Sequence, residues 1–270
     1  MKKITSRHNP LVKYVFALSG KAQMRKKEKK FVVEGRREVR LALEGGYELE
    51  QILFLPDLYD YEQLENLVKK HGFNGQIIEI NREVYEKLAY RGSTEGIIAV
   101  AKARELTLSN LKLSGNPLIL VAEAIEKPGN IGAMLRTVDA SGIDAFVLAD
   151  SITDIYNPNI IRSSVGGIFT SQIALASTTE LIEYLEKNGI KLYAATLQDS
   201  VVYYNEDYTT ASAIAVGNEA NGLSSEMREA AYKKIRIPMR GKLDSLNVSV
   251  SAAILVSEAC RQRSVSGSDD

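Results

Sequence analysis

The sequence predicts an α/β protein of two units: a small amino-terminal α/β unit and a larger carboxy-terminal unit with a mostly parallel sheet. Strand-like and helix-like segments alternate along most of the 270 residues, which is typical of parallel sheets covered by helices. Apolar residues make up 45% and charged residues 25%, the proportions of a folded globular chain. A polar stretch at 102–117, KARELTLSNLKLSGNP, interrupts the alternation and therefore separates the two units.

The first unit is expected over residues 1–105. A helix begins at Asn9-Pro10, because proline is favoured at the first helical position. A second helix runs over 35–44 and ends at Gly45-Gly46, where glycine suits the end of a helix. The other candidates are strands at 31–33, 50–55, 76–80 and 96–101, with helices at 58–70 and 82–88.

The second unit is expected over residues 118–263, with 106–117 as a linker and 264–270 as a disordered tail. In open parallel sheets, ligands bind beyond the carboxyl ends of the strands, so the loops after the strands are expected to carry the chemistry. The strand candidates are 118–122, 145–149, 172–175, 191–195, 212–217 and 234–238, and the helix candidates are 131–141, 159–164, 179–188, 224–232 and 248–263.

Rare residue types exclude several kinds of chemistry. Cys260 is the single cysteine, so no intrachain disulfide can form and a reducing compartment is expected. His8 and His71 are the two histidines; a His/Cys zinc site lacks ligands, and neither histidine lies in a nucleophile motif. We therefore expect no metal. The sequence has no apolar run of 18 residues and no signal-peptide pattern, so we expect no membrane span and a cytoplasmic location.

Charge is distributed unevenly, although Lys+Arg and Asp+Glu both number 34. Residues 1–40 hold 13 basic and 3 acidic side chains, and the remainder holds 21 and 31. The run KAQMRKKEKK at 21–30 is the densest part. Taken alone, such a run is more often a solvated helix than a phosphate-binding surface.

The loop after the 118–122 strand reads EAIEKPGN and leads into the helix IGAMLRTVDASG. Asn130 suits the N-cap position, and Gly142 suits the position after the helix. Arg136 lies off the apolar stripe, and by itself it fits a surface arginine paired with Asp139 or with the carbonyl of Ala140. The segment has neither G-x-G-x-x-G nor a Walker lysine, so nucleotide binding of those kinds is weakly supported.

The loop after the 212–217 strand reads GNEANGLSSEM. Gly217 lacks a Cβ, so a ligand could approach the backbone there, and Glu219 leaves the strand end beside that gap. Ser224 suits a helix cap, and Lys233-Lys234 would lie in the last turn of the same helix. An ordinary strand-to-helix loop explains the segment equally well.

Two further segments have the same ambiguity. IRIPMRGKLDSLNVSVSAAILVSEACRQR closes a strand at Pro238 and opens a helix rich in Ser and Ala, which fits a subunit contact, a bound ligand or plain packing. NPNIIRSSVGGIF at 157–169 places Arg162 beside a Gly-Gly break, which fits an anion contact or a simple helix end.

Taken together and in this order, NIGAMLR, NPNIIRSSVGG, VGNEANGLS and IPMRGKLDSLNVSVSAAI resemble the SPOUT superfamily, and more narrowly the TrmH/SpoU-type RNA 2′-O-ribose methyltransferases. The resemblance covers about residues 117–263. Residues 1–105, through FVVEGRREVRLAL and STEGIIAV, are similar to the substrate-binding domain, related to a ribosomal protein fold, of the ribosomal-RNA members. The resemblance implies a deep trefoil knot, S-adenosylmethionine as cofactor, ribosomal RNA as substrate, and a homodimer whose active site is completed across the interface.

The resemblance also implies the site residues. Arg136 would act on the ribose 2′-hydroxyl, and because a guanidinium loses its proton with great difficulty, we expect it to bind phosphate and polarise the hydroxyl rather than act as a base. The catalytic set would be Asn130, Arg136, Glu219, Ser245 and Asn247. The cofactor set would be Thr196, Leu197, Val216, Gly217, Asn218, Gly222, Ile237, Pro238, Met239, Leu246 and Asn247. The RNA-binding set would be Lys26, Lys27, Lys29, Lys30, Arg36, Arg37 and Arg162.

Three alternatives stay open at this point. Transfer RNA could replace ribosomal RNA as the substrate. A non-catalytic RNA-binding protein could keep the same fold, although Asn130, Arg136, Glu219 and Asn247 are all present. A small-molecule α/β enzyme with a nucleotide cofactor is disfavoured by the missing phosphate-binding motif and by the basic amino end.

Overall fold

The computed structural model describes residues 2–89, 95–242 and 244–266. The chain forms two compact units, Met1–Glu105 with Asp154–Thr170, and Leu106–Thr153 with Ser171–Asp270. The segment Asp154–Thr170 thus groups with the first unit although it lies between two strands of the second. The 106–117 stretch, expected as a linker, groups with the second unit, where Leu108, Leu111 and Leu113 pack against the core.

The first unit carries a five-stranded sheet in the order β1-β4-β3-β5-β2. β4 pairs in parallel with both β1 and β3, and β5 is antiparallel to both β3 and β2. The elements are β1 (Lys2–Ile4), α1 (Pro10–Gly20), α2 (Ala22–Glu28), β2 (Lys30–Glu34), α3 (Arg36–Glu44), β3 (Leu49–Phe54), α4 (Tyr61–Lys70), β4 (Gln76–Ile80), α5 (Arg82–Leu88) and β5 (Ile97–Lys102).

The predicted helix ends of this unit are confirmed where capping chemistry is strong. The Asn9 side chain accepts a hydrogen bond from the Leu11 N–H and starts α1, and α3 ends at Gly45. β1 has three residues, which is too short for a periodic signal, and the sequence analysis missed it.

The second unit carries a seven-stranded parallel sheet in the order β10-β12-β9-β11-β6-β7-β8. Its central strands are buried along their whole length and are largely apolar, because both faces of the sheet are covered. In chain order the elements of this unit are β6 (Leu118–Glu123), α6 (Pro128–Ser141), β7 (Ala145–Ala149), β8 (Ile173–Ala176), α9 (Thr178–Lys187), β9 (Lys191–Ala195), β10 (Val201–Val202), β11 (Ser212–Val216), α10 (Ser225–Glu229), β12 (Lys233–Arg236) and α11 (Val248–Ser266). Between β7 and β8 the chain forms α7 (Pro158–Ser163) and α8 (Gly167–Thr170), which belong to the first unit.

The predicted α/β class and parallel sheet are confirmed, whereas three local predictions are wrong. Lys233 and Lys234 do not end a helix; α10 stops at Glu229 and both lysines lie in β12. The tail does not begin at 264, because α11 continues to Ser266; residues 267–270 lie outside the described residues. Asn130 is not an N-cap, because α6 begins at Pro128 with Lys127 as its cap, since proline starts a helix one turn earlier. The trefoil knot stays a prediction.

The segment Asp154–Thr170, which contains α7 and α8, is held in the first unit by contacts between aromatic rings and by a buried ion pair. The Phe31 ring of β2 stacks on Tyr156 with centroids 4.1 Å apart and lies 6.3 Å from Phe169. Arg25 is 5% exposed, and its Nε lies 2.5 Å from Asp154 Oδ2. Because a buried arginine needs a paired charge, this segment completes the core of the first unit.

The Asp144 carboxylate makes the stability of the second unit depend on pH. Its carboxylate accepts the N–H groups of Ser114 at 2.8 Å and Leu118 at 2.9 Å. Burial opposes ionisation, but these N–H groups and Arg263 outweigh it and lower the pKa of Asp144 below its usual value. The stabilisation is therefore complete above the ordinary aspartate pKa of about 3.9 and is lost as the pH falls through the lower folded value.

We expect Asp144→Asn to be less stable than the unsubstituted chain at pH 7, and the difference to shrink as the pH falls below the ordinary aspartate pKa of about 3.9. Urea unfolding of both proteins across this range measures the difference. A difference that stays constant with pH would contradict the assigned role of the carboxylate.

Candidate functional site at the carboxyl ends of the central strands

Four neighbouring strands of the second unit, β12, β9, β11 and β6, end at one edge of the sheet because all are parallel. The chain runs outward from β6 through β7 to β8 and then returns to β9 on the other side, so the order of strands reverses beside β6. Open α/β sheets bind their ligands in the crevice at such a reversal. Every predicted catalytic and cofactor residue lies at this edge or on the helix that leaves it.

Three predicted catalytic residues contact each other at this edge. The Asn130 Nδ2 group donates a hydrogen bond to Glu219 Oε1, and the Asn247 Nδ2 group donates to Asn130 Oδ1 at 3.1 Å. Asn130 is 9% exposed, so its amide is fixed in one orientation by these two partners. The ammonium of Lys127 lies 3.4 Å from Glu219 Oε1 and stabilises the negative charge of that carboxylate.

Arg136 lies six residues further along α6 than Asn130, a rise of about 9 Å. Its side chain is exposed, and the described residues offer it neither a hydrogen bond nor an ion pair, including Asp139 and Ala140. The simple surface pairing that the sequence allowed is therefore absent among them. The guanidinium is left available for a phosphate or a hydroxyl group from outside the chain.

The loop from Gly217 to Ser224 folds back tightly on the end of β11. A Cβ on Gly217 would lie 2.2 Å from the carbonyl carbon of Gly222, so only glycine fits there. The close approach thus involves the loop's own backbone rather than a ligand. Asn218 is 9% exposed; its Nδ2 donates to the carbonyl of Ala124 at 3.0 Å, and its Oδ1 accepts from the Ala220 N–H.

The remaining cofactor candidates follow β9 and β12. Thr196 donates its backbone N–H to the carbonyl of Ile235, which ties the loop after β9 to β12. Leu197 and Leu246 are 62% and 41% exposed. Val216 is buried, Gly222 is exposed, and Ile237, Pro238 and Met239 are partly buried, while Ser245 is exposed and lies next to Asp244.

The predicted RNA-binding residues lie in the first unit, and Lys30 and Arg36 already have partners within the protein. Lys30 pairs with Glu50 at 2.6 Å. Arg36 donates to the carbonyls of Glu95 and Leu58, so its guanidinium is committed within the unit. The other five residues of the set are exposed. Lys26 and Lys27 lie on α2, Lys29 follows it, Arg37 lies in the first turn of α3, and Arg162 lies in the last turn of α7.

Two side chains of the site are not predicted from the sequence. Lys127 lies in the loop before α6, where no local pattern distinguishes it from a solvated lysine. Glu123 ends β6, and its position as the one acidic residue in a fully buried apolar strand was the available signal.

A groove lies between α6 and α11. Its volume is about 700 Å³. Small and apolar side chains line one part, among them Ala133 and Thr137 of α6 and Val250, Ala253 and Ile254 of α11, and Tyr203, Glu258 and Arg261 line the rest. Arg136 lies between two of these lining residues in sequence. The arginine itself is not a lining residue, but it is adjacent in sequence to Thr137.

Within the described residues, no group of three or more His, Cys, Asp or Glu side chains could hold a metal ion. Among the same residues, no helix is both long enough and apolar enough to cross a bilayer.

Comparison with known proteins identifies the family to which the chain belongs. Residues 117–257 match the model of the SpoU rRNA Methylase family, which is more than half of the chain. The chain belongs to the SpoU rRNA methylase family. Residues 9–99 match the MRM3-like substrate binding domain. The predicted resemblance to TrmH/SpoU-type methyltransferases is thereby confirmed.

Similar proteins cover nearly the whole chain. The 23S rRNA (guanosine(2553)-2′-O)-methyltransferase RlmP of Bacillus subtilis is 30% identical over 95% of this chain and 98% of its own length. An AdoMet-bound rRNA methyltransferase from Sinorhizobium meliloti has a TM-score of 0.88 with 28% identity, covering 96% of this chain and 97% of that one. A solved RNA 2′-O ribose methyltransferase has a TM-score of 0.82 with 39% identity, covering 97% and 99%. The predictions of an S-adenosylmethionine-dependent RNA 2′-O-methyltransferase, and of ribosomal RNA over the alternatives, are confirmed.

Proposed function

We propose that this SpoU methylase transfers a methyl group to a ribose 2′-hydroxyl of ribosomal RNA at the edge formed by β12, β9, β11 and β6. The observation that carries the assignment is the contact of Asn130, Glu219 and Asn247 beside an exposed Arg136 without a described partner. Three separate stretches of the chain meet in this contact, in a family whose members act on rRNA.

The residues at this edge fit S-adenosylmethionine. When bound, it supplies a methyl group made electrophilic by a positively charged sulfur. Leu197 and Leu246 expose apolar surface at strand ends, which suits the faces of an adenine ring, and the loops after Val216 and Arg236 offer backbone donors and acceptors. The cofactor residues assigned by the resemblance are therefore retained in this proposal.

Arg136 would donate hydrogen bonds to an RNA phosphate and to the 2′-oxygen. Its charge would stabilise the negative charge that builds on that oxygen as its proton leaves to a neighbouring acceptor. With the donor bound, that oxygen would take the methyl group and the sulfur would keep the electron pair of the broken carbon–sulfur bond. Asn130, held between Glu219 and Asn247, would orient the reacting groups without changing protonation.

A second copy of the chain would occupy the groove between α6 and α11. Small side chains allow close helix approach, Val250 is 46% exposed, and Arg136 lies beside the groove. A partner there would bring a second set of loops toward the arginine, which is about 9 Å along α6 from Asn130. This supports a homodimer that completes each site.

We expect Val250→Arg to convert the dimer to a monomer and to lower methyl transfer, because the groove would have to bury an unpaired charge. Light scattering after size-exclusion chromatography gives the mass. Val265→Arg, at a 61% exposed position of the same helix outside the groove, is the matched control and should leave the dimer intact. A dimeric Val250→Arg would place the interface elsewhere.

The exposed lysines next to β2 are expected to contact RNA phosphates. Substituting Lys26 and Lys27 together with alanine should weaken RNA binding and reduce the salt slope of the binding constant by roughly one to two. The matched control replaces Lys69 and Lys70 of α4, which are also exposed lysines. Equal losses in both double variants would show that charge alone, and not this surface, matters.

The decisive experiment incubates the protein with a labelled methyl donor and total RNA that lacks its own modification, and then maps 2′-O-methyl groups. Label at one ribose of ribosomal RNA is expected. Label in transfer RNA instead would show that transfer RNA is the substrate. RNA binding without methyl transfer would show that the protein is not a catalyst.

A further inference from the structure

A buried carboxylate at the end of β6 holds the loop that carries Glu219. Glu123 is 3% exposed. Its Oε2 accepts the backbone N–H of Ser224 at 2.7 Å, and its Oε1 accepts the Ser224 hydroxyl at 2.7 Å. The Thr178 hydroxyl also lies 2.7 Å from Oε1. A buried carboxylate with several hydrogen-bond donors is strongly fixed, and it fixes its donors in turn.

Ser224 is the residue at which the loop becomes a helix. Its hydroxyl oxygen accepts the N–H of Met227 and caps α10, while its proton points to Glu123. Leu223, one residue earlier, is 3% exposed and packs in the core. The distal end of the Gly217–Ser224 loop is therefore held by one apolar contact and one charged partner.

The proximal end of the loop is held by Ala124, the residue that directly follows β6. The carbonyl of Ala124 accepts the Asn218 side-chain N–H at 3.0 Å. Ala124 has a φ of +51°, a left-handed conformation that is uncommon for alanine and turns the chain sharply at this point. Glu123 and Ala124 thus hold opposite ends of one loop, and Glu219 lies between the two anchors.

We propose that Glu123 is a positioning residue for methyl transfer: its carboxylate sets the geometry of the Gly217–Ser224 loop, and through it the binding of the methyl donor. The inference rests on the proposed function, because that function assigns the loop to the donor. Glu123 contacts neither substrate in this account and acts through Ser224 alone.

The test compares three variants in the full-length protein. Glu123→Gln keeps the shape but removes the charge, and it presents an N–H group or a weaker acceptor to Ser224. Ser224→Ala removes one bond on the loop side of the carboxylate. Thr178→Val is the matched control, since it removes the hydroxyl that lies 2.7 Å from both Glu123 Oε1 and Asp150 Oδ2 on the α9 side and leaves the contacts of Ser224 in place.

Calorimetric binding of S-adenosylhomocysteine, a stable probe for the donor site, gives the readout without any RNA. We expect Glu123→Gln to weaken binding about tenfold or more and Ser224→Ala several-fold, with Thr178→Val near the unsubstituted value. In steady-state assays the KM for the methyl donor should rise more than kcat falls. Adding Glu123→Gln to Ser224→Ala should cost less than the sum of the two, because both act on one contact.

Unchanged affinity in Glu123→Gln, or an equal loss in Thr178→Val, would overturn the proposal, because the carboxylate would then act on general stability alone. Should Glu123→Gln fail to fold, Ser224→Ala decides on the same criteria. Failure of the unsubstituted protein to bind the probe would instead contradict the proposed function, so the two failures are distinguishable.

Discussion

Arg136→Ala is expected to reduce methyl transfer at least about 100-fold, the usual loss when a preorganised donor to a developing negative charge is removed. Donor affinity and thermal stability should not change, because the side chain is exposed and without a described partner. Single-turnover transfer to RNA, calorimetric binding of S-adenosylhomocysteine and a melting curve measure the three quantities. Lys187→Ala, at an exposed position of α9, is the control and should remain fully active.

Arg136→Lys separates charge from shape. A lysine keeps the positive charge but lacks the planar fork that contacts a phosphate and an oxygen together, so we expect most of the loss to persist. Its pH–rate profile should keep the shape of the unsubstituted enzyme's profile if the arginine is not the base. Transfer at nearly the normal rate in Arg136→Lys would remove any special role for the guanidinium.

Phe31→Ala is expected to destabilise the first unit by about 3–5 kcal/mol, the usual cost of truncating a buried phenylalanine. The ring is fully buried between Tyr47, Tyr156 and Phe169. Burial also raises the pKa of Tyr156 well above its usual value, so that ring stays neutral. Hydrogen exchange in β5, measured by mass spectrometry, reports this loss for the first unit separately from the second.

Phe16→Ala is the matched control for this truncation. Phe16 lies on α1 with 53% of its surface exposed, and we expect its loss to change stability within about 0.5 kcal/mol. If hydrogen exchange in β5 increased equally in both variants, the buried aromatic cluster would stabilise the first unit no more than an exposed ring does.

The sequence predicts much of the fold because local signals agree with the final structure. β4, α5, β7 and β9 have the predicted limits, since alternation of apolar residues and strong turn residues bound them. The resemblance places Asn130, Glu219 and Asn247 in one site but does not predict that their side chains touch. The contact of Asn130 with Glu219 follows from the adjacency of β6 and β11, and that with Asn247 follows from the packing of α11 on α6; no local pattern encodes either.

Other features depend on distant contacts and were therefore out of reach. Arg25 reads as one more charge in a basic run, and its burial depends on Asp154, 129 positions away. Lys30 and Arg36 read as phosphate ligands for the same reason. Their partners within the unit are Glu50, Glu95 and Leu58, which only the folded chain brings close.

The contribution of Asp154–Thr170 to the first unit limits how this chain can be divided or recombined. A gene fragment ending at Glu105 would encode all five strands of the first sheet but not Tyr156, Phe169 or the counter-charge of Arg25. If amino-terminal halves were exchanged between relatives at that point, Phe31 would have to pack against the Asp154–Thr170 segment of another protein. Functional chimaeras therefore require that the stretch between β7 and β8 be inherited together with the amino-terminal half.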